Sequence, residues 1–128
     1  MSVLWREKAG CSKRQVTLVS RDLEVSGRLK IYEANLFELG ALARKFDMVR
    51  AANILNFAYF SEVQLKAILE QLSLCLQVGS FLVVVRSRED RSQNDGTVFV
   101  KSANGTLEVV ERFGNGSEIE PLAAKLCA

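Results

Sequence analysis

A chain of 128 residues is long enough for one hydrophobic core and short for two. Its 17 Lys and Arg stand against 15 Asp and Glu, and the resulting net charge of +2 is too small for the phosphate neutralisation that nucleic-acid binding needs. The chain has no histidine, which excludes a Ser-His-Asp triad, a Cys-His dyad and any His-ligated metal.

Cys11, Cys75 and Cys127 are far apart and form no CxxC, so neither a zinc knuckle nor a thioredoxin-type centre is expected, and no metal. No apolar run approaches the roughly 20 residues that span a bilayer. The start, MSVLWREKAG, lacks the apolar h-region of a secretory signal. The expectation is a cytoplasmic protein without membrane contact.

The first fourteen residues are mixed, basic near Lys13 and Arg14, with Val3, Leu4 and Trp5 available for packing. QVTLVS at 15–20 reads as a short strand, followed by a polar loop ending at Gly27. LKIYEANLF begins with a strand over 29–34. Residues 38–45 hold enough Leu and Ala for one or two helical turns, and 46–52 is the next strand.

The clearest element is a helix over 62–77. Ser61 and Gln64 have the spacing of a capping box, in which each side chain satisfies the other's backbone donor. Phe60 and Leu65 have the spacing of a hydrophobic staple. Leu65, Ile68, Leu69, Leu72 and Leu76 form a stripe at helical period, a packing face, with Cys75 on its apolar side. Gly79 suits a left-handed stop after the helix.

FLVVVR at 81–86 is apolar on consecutive residues, the pattern of a strand buried on both faces. A charged loop follows to Asp95. Residues 97–102 and 106–113 alternate around Asn104-Gly105, a hairpin signal. Residues 118–126 form a short terminal helix or tail. The element order predicts one α/β domain over 1–128, with a mixed, mostly parallel sheet closed by an antiparallel hairpin.

In such sheets ligands bind beyond the carboxyl ends of the strands. Asn53, Asn56, Tyr59 and Phe60, in the turn after the third expected strand, and Arg86, at the end of the next, are therefore the candidate rim of a site. Against this stands a plain helix-entry turn. Arg86, Arg88 and Arg91 can grip an anion, or form a self-compensating loop with Glu89 and Asp90.

Several tracts resemble the class I S-adenosylmethionine-dependent methyltransferases. VTLVSRDL looks like that family's second strand, LKIYEANLF its third, FDMVRAANILNFAYFS its fourth with the turn after it, and LCLQVGSFLVVVRS its fifth with the preceding helix end. NDGTVFV and GTLEVVERFGNGSEIEPL are similar to the hairpin of some members. The resemblance spans about residues 15–122 and implies an incomplete Rossmann-like methyltransferase fold. It implies that Asp22 holds the ribose hydroxyls and Asn35 faces the adenine of S-adenosylmethionine, with Asn53 and Asn56 beside the cofactor and Tyr59, Phe60 and Arg86 on the substrate side.

The family's first strand and Gly-rich loop should precede Val16, where only 15 residues stand and no GxGxG occurs. The chain thus looks like the family without that strand. Two function classes stay open. One is a methyltransferase-like protein with weak or no catalysis and weak cofactor binding. The other is a non-catalytic interaction module, or part of a longer active methyltransferase. A sheet missing its central strand predicts a homodimer, or a rearrangement with 15–20 beside 46–52.

Overall fold

The structure, a computed structural model, describes residues 2–5, 14–17 and 33–126. Two compact units divide the chain, Met1–Asn35 and Leu36–Ala128. In the first, β1 (Ser2–Trp5) pairs antiparallel with β2 (Arg14–Thr17), Ser2 opposite Thr17 and Trp5 opposite Arg14. The expected strand at 29–34 falls outside the described residues up to position 32, as does Asp22.

The second unit carries a four-stranded sheet in the order β3-β4-β5-β6. The strands are β3 (Phe46–Ala52), β4 (Leu76–Ser87), β5 (Asn94–Lys101) and β6 (Leu107–Phe113). Helix α1 (Glu62–Cys75) carries the chain from β3 to its parallel neighbour β4. The expected turns at 38–45 condense to a 3₁₀ turn, Gly40–Leu42, and the terminal helix to α2, Glu120–Ala123.

The mostly parallel, Rossmann-like sheet expected from the sequence is not what forms. Of the three pairings, β3 with β4 is parallel, while β4 with β5 and β5 with β6 are antiparallel. A parallel neighbour needs a crossover, and α1 is the one long helix among the described residues. The remaining connections are too short to cross the sheet, so they fold back as hairpins. Asn104-Gly105 makes the turn between β5 and β6, with Gly105 at φ 84°. Among the described residues β2 pairs with β1 and β3 with β4.

FLVVVR is a central strand, but it is not buried on both faces. Leu82 and Val84 point into the core, whereas Phe81 is 41% exposed on the other side and Val83 and Val85 are half-buried. Among the described residues the core forms on one face only. It joins Leu65, Ile68, Leu69 and Leu72 of α1 to Leu82, Val84 and Phe99 of the sheet and to Ile119, Leu122 and Ala123 around α2. Each such Leu or Ile contributes about 1.5–3 kcal/mol by leaving water.

The capping box forms as the spacing requires. Gln64 N donates to Ser61 Oγ at 3.3 Å, and Ser61 N donates to Gln64 Oε1 at 3.0 Å. The far end differs from expectation. The helix stops at Cys75, and Gly79 (φ 84°) lies inside β4 rather than after the helix. There it serves a register irregularity, since Phe46 pairs with Leu76 but Met48 pairs with Phe81. Leu76 leaves the helix in extended conformation, and the Lys101 ammonium satisfies the terminal carbonyls, donating to Ser73 O at 2.8 Å and Leu76 O at 3.0 Å. Among the described residues no helix is long and apolar enough to cross a membrane.

Candidate functional site

The carboxyl ends of β3 and β4 lie side by side because the strands are parallel. Asn53 follows β3 in left-handed conformation, φ 57°, which Asn tolerates better than most residues. Its backbone N–H donates to Val85 O at 2.8 Å, and its Oδ1 accepts from Ser87 N at 2.7 Å. The side chain therefore continues the sheet ladder after the backbone has turned away.

Asn56 is buried, and its Oδ1 accepts from Ala58 N at 3.0 Å and Tyr59 N at 3.1 Å. This local closure shapes the turn that feeds α1. Tyr59 is 68% exposed at its tip. Phe60 instead turns inward, packs against the core and meets Phe37 edge-on with ring centroids 6.3 Å apart.

Arg86 is the last residue but one of β4, and its Nη1 donates to Glu118 Oε1 at 3.2 Å. The same Glu118 oxygen accepts from Phe57 N at 3.1 Å. Glu118 thus ties the turn after β3 to the end of β4. Sequence reasoning missed it, because 61 positions separate it from Phe57 and no motif marks the contact. Beside it, a cleft of about 260 Å³ is lined by Arg86, Asp95, Asn115 and Glu118 over Leu55 and Val84.

After β4, Arg88 pairs with Asp95 of β5 and Arg86 with Glu118, not with Glu89 or Asp90 of the expected self-compensating loop. Arg88 grips Asp95 with Nε at 3.0 and 3.1 Å and Nη2 at 2.7 Å. Asn115 N donates to the same carboxylate at 2.8 Å. The Arg88 guanidinium first, and this backbone donor second, hold the Asp95 carboxyl below its usual range. Asp90 is also held low, by the backbone N–H and hydroxyl of Ser92.

At the far side of the sheet end, burial pushes the Glu120 carboxyl up. The Thr97 hydroxyl and the Arg112 guanidinium outweigh it, leaving the group below its ordinary value. Arg112 Nε reaches both Glu120 oxygens, at 2.9 and 2.8 Å. Ionised carboxylates already matched to Arg bind neighbours and are poor proton donors or acceptors near neutrality.

The structure therefore brings Asn53, Asn56 and Arg86 to one sheet end, leaves Tyr59 at its rim and withdraws Phe60 into the packing. Asn35 is exposed and belongs to the first unit; Asp22 lies outside the described residues. Among the described residues no group of His, Cys, Asp and Glu has the arrangement of a metal site. No protein-family model, curated protein or solved structure matches the chain.

Proposed function

We propose that the chain works as a protein-interaction module, with S-adenosylmethionine bound weakly or not at all. The observation that carries this reading is the outer face of the sheet. Met48 is 61% exposed and Phe81 41% exposed, side by side, with half-buried Val83, Val85, Val98 and Val100 around them. A contiguous apolar patch of this kind is the usual mark of a surface that meets another protein. Among the described residues β3 is the terminal strand of the four-stranded sheet, next to the patch.

The hydrogen bonding at the strand ends supports the same reading. The Oδ1 atoms of Asn53 and Asn56 are engaged by Ser87 and by Ala58 and Tyr59, and one Arg86 nitrogen by Glu118. A ligand entering there displaces bonds worth about 0.5–1.5 kcal/mol each.

A second reading, weak S-adenosylmethionine binding by a methyltransferase-like chain, is favoured by the position of Asn53 at the carboxyl end of a parallel strand pair. Calorimetric titration with S-adenosylhomocysteine separates the two. The interaction reading expects no binding, or binding weaker than about 100 µM. Micromolar binding that is lost in both Asp22→Ala and Asn53→Ala overturns it in favour of the methyltransferase.

A further inference from the structure

The register of the sheet sets its outer side chains in rows. Arg50 pairs with Val83, Val83 with Val98, and Val98 with Glu111. One row thus runs from a cation on β3, across two half-buried valines, to an anion on β6, with both charged residues exposed. The row on one side is Met48, Phe81, Val100 and Glu108. The row on the other is Ala52, Val85, Gly96 and Phe113. A β-carbon on Gly96 would stand 2.2 Å from the Phe113 ring, so the ring lies over the glycine and the last row is filled from β6 inward.

We propose that this face is covered by a second copy of the chain, packed face to face about a two-fold axis that runs along the strands between β4 and β5. The inference rests on the interaction reading above and names its partner. Such an axis keeps each row in register and reverses its direction. Arg50 then stands over the partner's Glu111 and Val83 over the partner's Val98. Phe81 covers the partner's Val100, and the Phe113 ring meets the smaller Ala52 and Val85 of the partner.

Charge decides between the possible axes. A two-fold axis across the strands superposes Arg50 on its own copy and Glu111 on its own copy, setting like charges together. The axis along the strands replaces these repulsions with two symmetric Arg50–Glu111 pairs and leaves apolar residues at the centre. It also aligns the strands of the two sheets, one of the two ways in which sheets stack. Four strands and three rows cover about 400 Å² by strand spacing and rise. That is below the roughly 800 Å² per partner of a standard interface, so a weak, concentration-dependent dimer is expected.

Sedimentation equilibrium of the full chain, up to about 0.5 mM for an interface of this size, tests the proposal. The wild type should dimerise. Arg50→Glu and Glu111→Arg should each weaken the dimer by about tenfold or more, and the two changes together should restore it. Circular dichroism should show unchanged folding of all three, because both positions are exposed. A wild type that stays monomeric overturns the proposal. An effect from Arg50→Glu without one from Glu111→Arg overturns it in favour of pairing through the β3 edge. A double variant that fails to recover also overturns it. None of these results depends on nucleoside binding, so the titration above fails or succeeds separately.

Discussion

The Lys101 ammonium on β5 lies 2.8 Å from the Ser73 carbonyl at the end of α1. A strand that follows the helix by two connections thus closes the helix that shapes the core. The cation also faces the negative end of the helix dipole. Lys101→Met should lose this termination and cost about 1–3 kcal/mol in urea unfolding. Lys101→Arg should retain part of it. Equal stability of wild type and Lys101→Met would show that the contact contributes nothing.

Three positions along α1 predict different losses. Leu69 is fully buried, and Leu69→Ala should cost about 2–5 kcal/mol. Ser61→Ala removes one half of the capping box and should cost about 0.5–2 kcal/mol. Val63 lies on the same helix at 79% exposure, and Val63→Ala should stay within about 0.5 kcal/mol. Denaturant titrations that rank the three otherwise would contradict the helix orientation.

Gly96 is closed to any side chain on two sides. A β-carbon there would stand 2.2 Å from the Phe113 ring and 2.6 Å from the Val84 carbonyl. The ring can move, but the β4 backbone is paired on both sides and cannot. Gly96→Ala should therefore destabilise by about 1–3 kcal/mol through overpacking. Phe113→Ala relieves the ring contact alone, so the double variant should recover only part of the loss. Full recovery would assign the whole strain to the ring.

Asp95 should shape the acid arm of stability. Its carboxyl is held low in the folded chain by Arg88 and Asn115. A depressed carboxylate contributes stability above its unfolded pKa, and the contribution disappears as pH falls through the folded value. Thermal melts should therefore fall between about pH 4 and the more acidic folded value. Asp95→Asn should be less stable at neutral pH and lose less on acidification. A parallel drop in both proteins would place the acid sensitivity elsewhere.

Local chemistry was legible in the sequence wherever the partners are close along the chain. The Ser61–Gln64 box and the Asn104-Gly105 turn each close over three or four residues. The stripe of α1 follows from helical period, and the structure buries Leu65, Ile68, Leu69 and Leu72 as that period requires.

The tertiary structure decided what those local rules leave free. An apolar run such as FLVVVR states that a strand is favourable, not how many of its faces are covered. Coverage depends on where helices pack, and here the core forms on the α1 side while Phe81 faces outward. Parallel or antiparallel pairing depended on the length of each connection, and within the four-stranded sheet only the connection through α1 is long enough to return the chain in the same direction. Glu118 gained its role by meeting Phe57 and Arg86 in space. The helix end was set in the same way, by Lys101 arriving from β5 rather than by Gly79. Hydrogen bonds within a turn are encoded where they form; contacts between distant segments exist only after the sheet has chosen its order.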